Sequence, residues 1–132
     1  MSRKMLFFDI DGTLVAEGTH YLPQSAVNAI RKARENGHLA FINTGRTRFS
    51  IDGFLEEIGF DGYVCGCGTA IYVGEKTIFK NTLTKEYCRE IIKMLRTCNI
   101  TAVFEEENRV FFDEELPDHK ILHDLRARFG TK

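Results

Sequence analysis

The sequence predicts an α/β fold, in which half of a doubly wound, mainly parallel sheet is followed by the start of a second α/β segment. Three features carry this reading. Two almost continuous apolar runs, Lys4 to Ile10 and Leu39 to Asn43, have the composition of strands covered on both faces. Each run stops at a polar, glycine-bearing turn, Asp11-Gly12-Thr13 or Thr44-Gly45-Arg46, and a helix-spaced apolar stripe follows each. The same rhythm begins again at Thr84.

Taken in order, the first strand leads through a loop containing Gly18 and His20 to Pro23, whose fixed φ suits the opening of a helix. Ala26, Ala29, Ile30 and Ala33 form its apolar stripe, and Asn36-Gly37 closes it. After the second strand, Ile51, Phe54, Leu55 and Ile58 stripe a second helix ending at Gly59. Tyr63 to Cys67 reads as a third strand, and Ala70 to Val73 with Thr77 to Lys80 reads as a hairpin turning at Gly74-Glu75. Beyond Thr84, Tyr87, Ile91, Met94, Leu95 and Cys98 stripe another helix. Ile100 to Phe104 and Arg109 to Phe112 then form two strands around a solvated acidic turn, Glu105-Glu106-Glu107-Asn108. A last helix after Pro117 carries Ile121, Leu122, Leu125 and Phe129.

Composition bounds the function. The 132 residues, 43% hydrophobic and including 11 Phe, suffice for a core without staples. Eighteen Lys+Arg against 19 Asp+Glu leave a net charge of −1, so the field of a nucleic-acid binder is missing and any anion must be held locally. No apolar run is long enough to span a bilayer, and Asp9 and Asp11 follow Met1-Ser2-Arg3-Lys4 where a signal peptide would be apolar; the chain reads as cytoplasmic. The four cysteines, Cys65, Cys67, Cys88 and Cys98, read as free thiols, and Cys67 as a buried, inert one. Cys65 and Cys67 lack the second ligand pair of a tetrahedral zinc site, and His119 with His123 lacks a third ligand.

In open parallel sheets the ligand crevice lies outside the carboxyl ends of the strands, which directs attention to the two turns. Phe8-Asp9-Ile10-Asp11-Gly12-Thr13 puts two carboxylates at the end of a greasy strand, where a hard divalent cation or hydrogen bonds must offset desolvation. Ideal strand alternation would send Asp9 and Asp11 to one face, one as nucleophile and the other as acid/base. Ile42-Asn43-Thr44-Gly45-Arg46 offers a hydroxyl, a glycine permitting close backbone approach and a guanidinium, which together suit a phosphate oxygen. Plainer readings are an Asp-Gly turn for the first and a helix cap by Thr44 for the second.

Asp9-Ile10-Asp11-Gly12-Thr13-Leu14 resembles the first motif of the haloacid dehalogenase superfamily, and Ile42-Asn43-Thr44-Gly45-Arg46 resembles the second motif of its Cof-type sugar-phosphatase branch. The resemblance implies an incomplete Rossmann-like parallel-sheet core over residues 1–81 and a partial α/β cap over residues 82–132. It implies Mg²⁺-dependent hydrolysis of a small phosphorylated metabolite. Asp9 would attack phosphorus, Asp11 would serve as acid and then base, and Mg²⁺ would sit against the Asp9 carboxylate and the Asp11 backbone carbonyl. Thr44 and the Gly45 N–H would bind phosphate oxygens, Arg46 would touch substrate or order the loop, and Gly12 and Thr13 would shape the turn.

The family also supplies a later lysine and an acidic pair, commonly in Gly-Asp-x-x-Asn-Asp, and neither is identifiable here. Lys120 and Asp113-Glu114-Glu115 fall in the cap region and read as surface residues, and Cys67-Gly68-Thr69 replaces the usual Asn-Gly-Ala. The expectation is therefore the N-terminal part of a phosphatase, weak or inactive as this short chain. Two alternatives stay open. One is a non-catalytic module binding phosphate or Mg²⁺ and self-associating through an unfinished sheet edge; the other is a phosphotransferase or mutase using the same aspartyl-phosphate.

Overall fold

The computed structural model describes residues 2–16, 18–19, 21–115 and 120–129. His20, Pro117 and His119 lie outside the described residues, as do the side chains of Ile121 and Phe129. The chain divides into two compact units, Met1–Asn81 and Thr82–Lys132.

The first unit is a five-stranded sheet in sequential order. Strands β1 (Met5–Phe8), β2 (Leu39–Asn43) and β3 (Gly62–Cys65) run parallel, and β4 (Ala70–Val73) and β5 (Lys76–Lys80) add an antiparallel hairpin at one side. Parallel neighbours need a crossover, and helix α1 (Gln24–Glu35) supplies the one from β1 to β2. The register pairs Phe8 with Ile42 and Asn43 with Val64, so the carboxyl ends of the three parallel strands lie side by side.

One core serves this sheet. Val27 and Ile30 of α1 join Ile51, Leu55 and Ile58 of the second crossover against Ile42, Tyr63 and Cys65. Ile42 is wholly buried, and burying such a side chain contributes about 1.5–3 kcal/mol. Val27, rather than the Ala29 the stripe suggested, faces inward, and Ala29 is exposed. Gly37 ends α1 at φ +87°, the left-handed geometry that the terminal turn needs, and its N–H donates to the Arg34 carbonyl.

Two expectations are corrected. The run in β1 was expected to be covered on both faces, but β1 is the terminal strand of the sheet. Met5 and Phe7 remain 57% and 51% exposed, with Phe7 stacked on Phe41 at 5.2 Å between ring centres. The Ile51–Ile58 stripe does pack inward, yet it is not one helix. A 3₁₀ turn at Arg48–Ser50 precedes a single helical turn, α2 (Gly53–Glu56), because Ile51 and Asp52 are extended between them.

In the second unit Thr84 caps helix α3 (Lys85–Thr97), accepting from the Tyr87 N–H at 3.3 Å. Strands β6 (Val103–Glu105) and β7 (Val110–Phe112) form a hairpin, and helix α4 (Lys120–Phe129) follows. Arg96 of α3 grips Asp113 through both carboxylate oxygens, at 2.7 and 2.9 Å, and reaches Glu115 at 2.8 Å. Asp113 thus ties the helix to the end of the hairpin. The pairing holds its carboxyl below the usual range, with Arg96 as the chief cause.

Candidate active site

Asp9 and Asp11 lie just past β1, so strand alternation does not set their directions; a turn does. The Ile10 carbonyl accepts from the N–H groups of Thr13, Leu14 and Val15 at 3.2, 3.0 and 2.9 Å, and the Gly12 N–H donates to the Val15 carbonyl at 2.8 Å. Closing this turn requires φ +79° at Gly12, which a side chain would oppose. Ile10, Leu14 and Val15 anchor it in the core, and Asp9, Asp11 and Thr13 are left exposed. The Thr13 hydroxyl makes a long contact of 3.4 Å with an Asp9 carboxylate oxygen.

Thr44 follows β2 and is buried, held by its N–H on the Val64 carbonyl at 2.9 Å. Its Oγ1 accepts from the Arg46 N–H at 3.2 Å, which leaves the hydroxyl hydrogen to donate. Gly45 is exposed, and a Cβ on it would stand 3.4 Å from the Cys67 Sγ. The turn after β3 closes the group: the Gly66 N–H donates to the Arg46 carbonyl at 2.8 Å and the Cys67 N–H to the Thr44 carbonyl at 3.2 Å. Cys67 is exposed at φ +55°, contrary to the buried thiol expected, because that turn carries it out of the sheet plane. Cys65, two residues earlier at the end of β3, is buried, and desolvation pushes its thiol up to about 11.

Arg46 joins the two turns. Its Nε and Nη2 donate to the two Asp11 carboxylate oxygens at 2.8 and 2.6 Å, while Nη1 donates to Asp52 at 2.8 Å and to the Ser50 carbonyl at 3.1 Å. Asp11, the largest cause, and Asp52 raise the guanidinium pKa against the opposing effect of burial. The structure therefore joins Asp11, Arg46 and Thr44 by hydrogen bonds, with Gly45 between the last two in the chain, Gly12 and Thr13 in the Asp11 turn, and Asp9 at the start of that turn. Asp52 was not found from sequence; no spacing rule marks an acid six residues after Arg46.

The donor set suits a hard divalent cation in kind. Asp9 offers an exposed carboxylate and Asp11 a backbone carbonyl on the same short turn, and Mg²⁺ is commonly held by one or two carboxylates while keeping waters. Among the described residues no cluster of three His, Cys, Asp or Glu side chains completes a shell.

Three parallel strands with paired acids after the first and a hydroxyl–glycine turn after the second place the chain among α/β proteins whose ligand crevice lies at the carboxyl ends of the strands. Residues 6–131 match the family model for haloacid dehalogenase-like hydrolases, and the chain belongs to that family. It is 34% identical over 130 residues to the pyridoxal phosphate phosphatase YbhA of Escherichia coli (strain K12), covering 96% of this chain and 46% of that protein. It is 30% identical over 108 residues to the "Putative phosphatase YkrA" of Bacillus subtilis (strain 168), covering 82% and 42%. Among solved structures, the HAD subclass IIB sugar phosphatase BT4131 aligns with a TM-score of 0.79 at 28% identity, over 97% of this chain and 49% of that one. The chain spans about half the length of these relatives.

Proposed function

We propose that this chain carries the nucleophile-bearing half of a Mg²⁺-dependent phosphate-monoester hydrolase. In this reading residues 1–81 are the incomplete core and residues 82–132 the start of its cap. The observation that carries the proposal is the joining of the paired-acid turn to the hydroxyl–glycine turn through Arg46 and Asp11. The relatives named for pyridoxal phosphate and for sugar phosphates support a small phosphorylated metabolite as substrate.

The chemistry divides among this chain's residues. An Asp9 carboxylate oxygen attacks phosphorus as the ester P–O bond breaks, giving an aspartyl-phosphate, and Asp11 delivers a proton to the departing alkoxide. Asp11 then takes a proton from water, whose oxygen attacks the same phosphorus and releases phosphate and the Asp9 carboxylate. The Thr44 hydroxyl and Gly45 N–H hold phosphate oxygens throughout. Asp9 and the Asp11 carbonyl would hold Mg²⁺, which would supply charge shielding between carboxylate and phosphate.

The family's later lysine and acidic pair are not identifiable in the sequence; without them two carboxylates and a phosphate dianion would crowd together, and in this reading turnover by the 132 residues alone is very weak or absent. The open β1 edge, with Met5 and Phe7 exposed, favours self-association in a cytoplasmic setting as a second reading. Phosphate release from an aryl phosphate and a sugar-phosphate panel with Mg²⁺ tests the proposal, with light scattering on the same sample. Slow release that is lost on chelation and in Asp9→Asn supports it. Release that survives Asp9→Asn in a purified, folded sample would sink it.

A further inference from the structure

We infer that Asp52 is a positioning residue for the Asp11 carboxylate, acting through Arg46; the inference rests on the acid/base role proposed for Asp11. The Asp11 side chain is 59% exposed on a tight turn, where an unrestrained carboxylate rotates among several orientations, whereas Arg46 is only 15% exposed and Asp52 25%. An exposed ion pair holds geometry poorly when the cation must surrender side-chain entropy to make it. Arg46 has surrendered its own already. Nη1 is fixed on the far side by the Asp52 carboxylate at 2.8 Å and the Ser50 carbonyl at 3.1 Å, so the planar fork presents Nε and Nη2 to Asp11 in a set direction.

The backbone reinforces that direction. The Arg46 N–H is on Thr44 Oγ1, and the Arg46 carbonyl takes the Gly66 N–H. The group that orients Asp11 is thus built on the same three residues that offer Thr44 and the Gly45 N–H to a phosphate. A proton donor aimed from this frame keeps a constant relation to the bound phosphoryl group, which is what general-acid catalysis of alcohol departure needs. The Asp52 carboxylate and the Asp11 carboxylate are held on the same guanidinium, through which the effect of Asp52 travels.

The experiment uses the 132-residue chain and its Asp52→Asn and Arg46→Lys variants. By NMR, the Arg46 Nε–H exchange rate and the Asp11 side-chain carboxyl carbon shift are read, with backbone amide shifts of β1 to β3 as the folding control. Asp52→Asn is expected to speed Nε–H exchange by about tenfold or more and to move the Asp11 carbon in the same direction as Arg46→Lys. Unchanged exchange and an unmoved Asp11 carbon in a folded Asp52→Asn sample would overturn the inference. The catalytic arm compares an alkyl with an aryl phosphate, since poor leaving groups depend on the acid and good ones do not. A general acid contributes about 10²–10⁴-fold, so loosening it is expected to lower alkyl turnover by about tenfold more than aryl turnover. An equal fall for both esters would assign Asp52 a merely structural part. Absence of turnover in the unmutated chain bears on the hydrolase proposal, and the NMR arm then decides this one.

Discussion

Asp61 offers a quantitative test of how the crossover is held to the sheet. Its carboxylate accepts from Arg34 Nε at 3.0 Å and Nη2 at 2.8 Å, reaching α1, and from the Ala40 N–H at 2.8 Å, reaching β2. Ala40 is wholly buried, so Asp61→Ala leaves its N–H without that acceptor at a cost of about 1–3 kcal/mol. The Arg34 pair adds less, about 0.5–1 kcal/mol, because its side chains are 34% and 20% exposed and solvent screens them. The expected loss for Asp61→Ala is therefore about 1.5–4 kcal/mol in urea unfolding at pH 7. Asp61→Asn, whose amide oxygen can still serve Ala40, is expected to lose about 1 kcal/mol.

Acid supplies the control. The Arg34 hydrogen bonds, opposed by desolvation and aided by the Ala40 N–H, hold the Asp61 carboxyl below its usual range. A folded pKa below the unfolded one means that the unfolded chain binds the proton first as pH falls. The contribution is complete above the ordinary aspartate value of about 3.9 and is lost as pH falls through the folded value. The gap between the wild-type chain and Asp61→Asn should therefore narrow below about pH 4. An Asp61→Ala variant within about 0.5 kcal/mol of wild type, or a gap to Asp61→Asn that does not narrow in acid, would refute the reasoning.

Two further outcomes follow from the same packing. Gly62→Ala would drive a Cβ against the Tyr72 carbonyl oxygen and to 2.7 Å from Phe41 Cε1, so a loss of about 1–3 kcal/mol is expected in urea unfolding; a neutral variant would mean that β3 shifts without cost. In the folded chain at pH 8, exposed Cys67 should be alkylated well before Cys65, whose thiol is buried and raised to about 11, and peptide mapping that finds Cys65 labelled first would contradict the placement of the β3 turn.

The fold was legible where hydrophobic pattern and punctuation agree. Leu39 to Asn43 is a strand from end to end because its apolar run sits between a glycine closure at Gly37 and the Thr44-Gly45 turn. The pattern misled where burial and conformation separate. Ile51, Leu55 and Ile58 all reach the core, yet only one helical turn forms, since Arg46 takes the Ser50 carbonyl and the chain runs extended through Ile51 and Asp52. A stripe reports which side chains face inward; it does not report what a distant guanidinium does to the backbone carrying them. In β1 an equally apolar run leaves Met5 and Phe7 exposed, because coverage depends on neighbouring elements that a local window does not contain.

The site divides along the same line. The placement of Asp9, Asp11, Thr44 and Gly45 at strand ends was readable because each follows an apolar run at a turn. Arg46 was readable as a cation near phosphate, but its partners were not, because they come from Asp11, 35 residues earlier, and from Asp52 on an irregular crossover. With two carboxylates on it, Arg46 carries little unmatched charge to offer a phosphate dianion. In the proposed reaction the charge opposite the phosphate would then fall to a bound cation, and the Arg46 fork would serve to aim Asp11 rather than to attract substrate.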